Sequence, residues 1–251
     1  MNANSNEQRV SALFVGDAHF HVRPDRAEQA RQARFLEFLA DARQVEHLVL
    51  LGDIFDFWFD YPHFLLRGYE PLLRGLDGVR EAGARLHFVG GNHDIWAARY
   101  FHERYDTEAE AGPLTLAFGT TRVRCVHGDG MLGKELLYRG FRRLVRNPAA
   151  VRLAKTLHPE VLFAFSTWLS GASRAATRDE ANRIETKAVR YLEQAVQANP
   201  AWELLVMGHV HHAFRIDRGP HTMLSLGGWL TPLNYGRFGD GVLEHAVYAP
   251  A

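Results

Sequence analysis

Five short polar clusters in this 251-residue chain each follow an apolar run: Gly16-Asp17-Ala18-His19, Gly52-Asp53-Ile54-Phe55-Asp56, Gly90-Gly91-Asn92-His93-Asp94, Val126-His127-Gly128-Asp129 and Gly208-His209-Val210-His211. Singly, each is weak evidence. A lone Asp-x-His or His-x-His is commonly a surface pair, and an aspartate between a strand and a helix is commonly an N-cap, the ordinary reading of Asp17 and Asp53. Together they supply carboxylates, an amide oxygen and imidazoles, a mixture suited to Mn, Fe or Zn rather than Ca or Mg. The chain has no cysteine cluster of the kind that holds structural zinc. Two metals about 3.5–4 Å apart activate a water and neutralise charge on a phosphoryl group during in-line displacement, so a phosphoester is the natural substrate.

Such donors need rigid elements beneath them. The first half alternates apolar runs with helical patterns: strands at Ala12–Val15, Leu48–Leu51 and Leu86–Val89, and helices at Arg26–Arg43 and Tyr69–Ala82. That rhythm predicts an α/β sheet whose strand ends carry the first three clusters. Further strands are expected at Leu114–Phe118, Val123–Val126, Leu204–Met207, Phe214–Asp217, Thr222–Leu226 and Val242–Val247, with antiparallel pairing where helices are sparse. Glycines beside the clusters permit sharp turns and close approach.

Between these strands lies Lys134–Asn199, of helical composition and broken at Asn147-Pro148, His158-Pro159 and Ser170–Ser173; it reads as a helical insertion. From Lys134 to Arg190 it holds twelve Lys/Arg against five Asp/Glu, although the whole chain has zero formal net charge. The global balance therefore argues against a nucleic-acid partner. Cys125, the single cysteine, excludes an internal disulfide framework and reads as a small buried strand residue. No secretory signal is visible at Met1–Gln8, and no apolar stretch approaches the ~20 residues of a spanning helix.

The ordered set DxH, GDxxD, GNHD, HGD and GHxH, running from Asp17 to His211, resembles the calcineurin-like metallophosphoesterases. The resemblance implies an α/β sandwich of two mixed sheets flanked by helices, one domain over 1–251 with the insertion at 134–199 within it. It implies that Asp17, His19, Asp53 and His211 hold a first metal and Asp53, Asn92, His127 and His209 a second, with Asp53 bridging. It also implies that His93 faces the leaving group or a phosphate oxygen and that Asp56 orients it, the pair forming the catalytic residues. Asp94 and Asp129 are assigned to supporting or loop-fixing roles. The remaining nine histidines, including His212, are assigned to surface or packing roles.

Leu51–Trp58, the size of the insertion and Ser225–Trp229 resemble, more narrowly, the UDP-2,3-diacylglucosamine hydrolases of lipid A synthesis. Those enzymes cleave the pyrophosphate of a doubly acylated UDP-sugar, use Mn²⁺ and close the insertion as a lid over the acyl chains. The likeness implies two Mn²⁺ ions, substrate contacts from Asn92, His93, Glu135, Tyr138, Ser173, Arg174 and His209, and a cytoplasmic protein in peripheral contact with the inner membrane. Val161, Leu162, Phe163, Phe165, Trp168 and Leu169 could line an acyl groove, or merely pack a cap whose arginines are solvated. One departure is His93, where many of these hydrolases carry Arg after the ligand Asn. A phosphodiesterase or pyrophosphatase acting on soluble nucleotides therefore stands as the alternative. A nuclease would need a broader basic surface, and a non-enzymatic scaffold would have been at liberty to lose cage residues that are all present here.

Overall fold

The computed structural model describes residues 10–61, 64–106, 108–129, 140, 147–158, 161–162 and 184–249. Strands β1 (Val10–Val15), β2 (His47–Leu50) and β3 (Arg85–Val89) are near-continuous apolar runs, as strands covered on both faces must be. They pair in parallel, and short β4 (Ala109–Glu110) extends them in the same sense. A second sheet is built from β5 (Leu114–Phe118), β6 (Thr121–Val126), β7 (Leu204–Met207), β8 (Ala213–Arg218) and β9 (His221–Leu226). Its order is β5-β6-β7-β9-β8, with β6, β7 and β9 parallel and the two edge strands antiparallel. Strands β10 (Asn234–Gly239) and β11 (Val242–Val247) return to the first sheet, whose order is β11-β10-β1-β2-β3-β4.

The sheets face each other across Ala12, Phe14, Val49, Leu51 and Val89 from one side and Leu116, Val123, Cys125, Val206 and Leu224 from the other. Cys125 is fully buried there, and burial pushes its thiol up, so it is a packing residue as expected. The opposite face of the first sheet, through Leu13, Val15, Leu48, Leu50, Leu86 and Phe88, meets three helices. These are α1 (Arg26–Asp41), α2 (Glu70–Glu81) and α3 (Ala97–Tyr105). Asp25 caps α1, its Oδ1 accepting the Glu28 N–H at 2.8 Å, and Phe35, Phe38 and Leu39 form the buried stripe.

The sequence places the end of α1 at Arg43; the helix instead stops at Asp41 and tightens into a 3₁₀ turn at Ala42–Gln44. Three elements are absent from the sequence reading: α3, β4 and β10. Asn234-Tyr-Gly-Arg-Phe-Gly reads as turn composition, yet β10 pairs on both sides, and a Cβ on Gly236 would meet Leu226 Cδ2 at 2.9 Å and Phe14 Cβ at 3.3 Å. Within the expected insertion the described helices are α4 (Pro148–Ala154) and α5 (Ile184–Ala198). Ile184, Ala188 and Leu192 of α5 cover the outer face of the second sheet. Phe163, Phe165, Trp168 and Leu169 lie outside the described residues. Among the described residues no helix is long and apolar enough to cross a membrane.

His87 of β3 points inward and is almost wholly buried, with its Nε2 3.0 Å from His47 Nδ1. Burial, reinforced by His47 and Arg85, lowers its pKa from 6.5 to about 4. The unfolded chain therefore takes a proton that folded His87 refuses until about pH 4. Stability from the neutral ring is complete above pH 6.5 and is lost as pH falls towards 4, a loss of about 3 kcal/mol. Urea denaturation should accordingly show His87→Gln to be less acid-sensitive than the parent by about that amount across this window.

Candidate metal centre

The strands carrying the five clusters run parallel within their sheets, so Asp17 and His19 after β1, Asp53 after β2, Asn92 and His93 after β3, His127 after β6 and His209 and His211 after β7 all emerge at strand C-terminal ends. Pairing continues past the strands, because the Asp17 N–H donates to Gly52 O at 3.0 Å and the His19 N–H to Asp53 O at 2.8 Å. The ordinary reading of Asp17 and Asp53 as N-caps does not hold. Asp17 Oδ2 accepts the His209 N–H at 2.8 Å, and Asp53 Oδ1 accepts the His93 N–H at 2.9 Å. Each carboxylate thus spends one oxygen on backbone and turns the other towards the cluster.

The structure brings the residues of the two expected sets close to one another. Asp17 Oδ1 lies 3.5 Å from His211 Nε2, which lies 3.2 Å from His19 Nε2, which lies 3.8 Å from Asp53 Oδ2. On the other side, His127 Nε2 stands 3.3 Å from the same Asp53 Oδ2, 3.3 Å from Asn92 Oδ1 and 3.2 Å from His209 Nδ1. One oxygen of Asp53 therefore belongs to both sets. His127 donates its Nδ1–H to Leu51 O at 2.8 Å, which fixes the ring's orientation and turns Nε2 inward. Asp17 Oδ1 is fully buried with no hydrogen-bond partner, and ring nitrogens that cannot all be donors crowd one another. A cation is what satisfies such a set, so the residues present fit divalent metal.

Charge follows the same logic. Burial alone would raise Asp53, but His127, His93 and His19 hold its carboxyl well below the usual range. Asp17 is lowered in the same way, burial being outweighed by the nearby imidazoles of His211, 3.5 Å from Oδ1, and His127. Burial lowers His19 and His209 to about 4, leaving both neutral and able to ligate at neutral pH. His127 is the exception: burial opposes its charge, yet Asp53 and Asp17 hold it well above 6.5.

The backbone bears the strain of this assembly. Among the described residues seven non-glycines have positive φ, and five of them are Asp17, His19, Asp53, His209 and His211. Gly52, at φ 81°, lies so close to the next loop that a Cβ there would stand 2.6 Å from Gly91 Cα. Asp94 secures this junction. Its Oδ1 accepts the N–H groups of Asp53 (3.0 Å) and Gly91 (2.9 Å), and its Oδ2 those of Ile54 (2.9 Å) and Phe55 (3.4 Å). Burial and the nearby Asp53 push its carboxyl up to about 6.

His93 is oriented differently from expectation. Its Nδ1–H donates to the backbone carbonyl of Asp56 at 2.8 Å, whereas the Asp56 carboxylate stands 3.8 Å away. Its ring packs edge-on to His19, centroids 4.8 Å apart. Glu135, Tyr138, Ser173 and Arg174 lie outside the described residues. The sequence reading overlooked Glu28 and His21, the latter counted among the surface histidines, although His21 stands 3.5 Å from Asp56 Oδ2. No local motif marks them, because their relation depends on how α1 folds back on the loop.

The family model for calcineurin-like phosphoesterase matches residues 10–213, most of the chain. The chain belongs to this family. This calcineurin-like phosphoesterase is thereby a metal-dependent phosphoester hydrolase. It is similar to curated proteins named UDP-2,3-diacylglucosamine hydrolase. The one from Porphyromonas gingivalis is 24% identical over 244 residues, covering 90% of this chain and 93% of the relative. The one from Stutzerimonas stutzeri is 28% identical over 222 residues (86% and 90%), and that from Chromohalobacter salexigens 29% over 228 (88% and 89%).

Replacing Asp94 with alanine should strand several buried N–H groups around Asp53, costing about 3 kcal/mol in urea denaturation of the metal-free protein. Asp94→Asn, which retains an acceptor, should lose less.

Proposed function

We propose that this chain hydrolyses the pyrophosphate bond of UDP-2,3-diacylglucosamine, releasing UMP and 2,3-diacylglucosamine 1-phosphate. The observation that carries this reading is the likeness, over about nine-tenths of both chains, to relatives sharing that one name. In this reading Asp17, His19, Asp53 and His211 hold one Mn²⁺, and Asp53, Asn92, His127 and His209 the other. When bound, the metal pair supplies Lewis acidity towards the phosphoryl oxygens and a nucleophile from water.

The chain's own groups supply the rest. His127, fixed by Leu51 O, offers one nitrogen in one direction. His93 passes a proton from Nε2 to the departing phosphate oxygen while Asp56 O holds its Nδ1–H, so the ring cannot turn away as charge develops. Asn92, His93 and His209 flank the phosphates. Residues 134–199 serve as a lid within the single domain, contributing Glu135, Tyr138, Ser173 and Arg174.

Exposed apolar residues near this face support a lipid substrate and peripheral membrane contact. Phe64, Leu65, Leu153, Leu157 and Val161 are all exposed, and Tyr61 OH donates to Leu157 O at 3.2 Å, bringing the two segments together. Cationic Arg152 and Lys155 lie on the same stretch as Leu153 and Leu157, suiting an anionic surface.

The test is hydrolysis of UDP-2,3-diacylglucosamine by Mn²⁺-loaded protein in detergent beside a deacylated UDP-sugar. Strong preference for the acylated substrate is expected; equal cleavage moves the function to soluble nucleotides. Asp53→Ala should abolish turnover and lower the bound metal measured by elemental analysis, since both sets lose a ligand. His93→Ala should lower kcat by about 10²–10⁴ with metal retained, the usual contribution of a positioned acid.

A further inference from the structure

We infer that His21, clamped by the buried carboxylate of Glu28, is a positioning residue for His93 and acts through Asp56. Glu28, in the first turn of α1, is 9% exposed, and both its oxygens are directed at one residue. Oε1 accepts the His21 backbone N–H at 2.5 Å, and Oε2 accepts the His21 Nδ1–H at 2.6 Å; Gln32 Nε2 adds a longer bond to Oε1 at 3.3 Å. Burying a carboxylate is unfavourable unless its partners repay the lost hydration. Here the partner is an imidazole whose side chain is 42% exposed and which would otherwise sample several rotamers.

The clamp leaves the His21 ring one orientation, with Nε2 3.5 Å from Asp56 Oδ2. Asp56 is held by the same stretch through its backbone, its N–H donating to Phe20 O at 2.9 Å. Residues 20–21 therefore grip Asp56 at both its amide and its carboxylate. What Asp56 presents to the reaction is its carbonyl, which takes the His93 Nδ1–H, with Oδ1 3.8 Å from the same nitrogen. The order is carboxylate, imidazole, carboxylate, imidazole: Glu28, His21, Asp56, His93. Releasing His21 removes one of the contacts on the Asp56 carboxylate and with it part of the support of the peptide that orients His93. A displacement of about 1 Å at such a group can cost up to about 10²-fold in rate. His21 belongs to none of the three-residue groups able to hold metal, so its effect is separable from metal loading.

This inference rests on His93 acting as the acid, and the experiment separates the two claims. Kinetic constants would be measured for His93→Ala, His21→Ala and Glu28→Gln on two esters of one nucleoside 5′-monophosphate: the p-nitrophenyl ester, whose leaving group needs little acid assistance, and the phenyl ester, which needs more. Bound metal and the thermal midpoint would be followed for each variant, together with the ¹⁵N shifts of the His93 ring in the two variants that retain it. His93→Ala is expected to lose far more kcat on the phenyl ester. His21→Ala and Glu28→Gln should follow with about tenfold losses on the phenyl ester, near-parental rates on the p-nitrophenyl ester, unchanged KM and metal content, and displaced His93 ring shifts. Equal losses on both esters, or losses explained by metal content or KM, with His93→Ala still sensitive to the leaving group, would mean that Glu28 and His21 only close the turn before α1. If His93→Ala itself shows no such sensitivity, the acid assignment falls and takes this inference with it.

Discussion

The carboxylate of Asp53 is the point on which the site turns. It is nearly water-excluded, yet it must remain ionised, and a buried charge is tolerated only where every lone pair is answered. Oδ1 is answered by the His93 N–H and Oδ2 by imidazoles from both sheets. The opposed directions of His127, held charged, and His19 and His209, held neutral, show one network sharing limited positive charge around Asp53 and Asp17. Metal binding replaces a proton in such a network and is therefore coupled to proton release.

Meeting that requirement shapes the backbone. Donors from five loops converge only if several chains turn sharply within a few residues, and the structure places aspartates and histidines, rather than glycines, in left-handed conformations to achieve it. Strain of this kind persists where the surroundings over-determine it. The surroundings are two sheets whose central strands are parallel and buried on both faces, with antiparallel pairing confined to the outer strands. The aromatic layer of Phe35, Phe38 and Trp229 beneath one sheet and the inter-sheet core beneath the other leave the strand ends little freedom.

Most of this was legible in the sequence because polar clusters after apolar runs are a local signal. The clusters that hold Asp17, His19, Asp53, Asn92, His127, His209 and His211 and the strands before them could be found from neighbouring residues, and the order of the clusters carried the family resemblance that implies a ligand set. The missed parts depend on contacts that no window contains. β10 is a strand because two neighbours pair with it, against its glycine content; α3 is too short for its pattern to emerge. His93 is oriented by a carbonyl, a group every residue owns, so the obvious candidate, the Asp56 carboxylate, drew the assignment. His21 lies before α1 and Glu28 in its first turn, so no periodicity within one element pairs them.

The site is also asymmetric. The His127 side chain is 1% exposed whereas that of His211 is 42% exposed, so among the described residues the group that contains His211 is the more open. Residues 53–61 carry the shared carboxylate, the carbonyl that holds His93, and Trp58, whose backbone N–H donates to His93 O at 3.1 Å. The same stretch ends in Asp60, bonded to Arg99 Nε of α3 at 2.6 Å and 3.9 Å from Lys155 Nζ just beyond α4. The α4 region is thereby tied through Asp60 to the stretch whose carbonyl holds His93. A single covalent segment, residues 53–61, therefore joins the α4 region to the groups that surround His93.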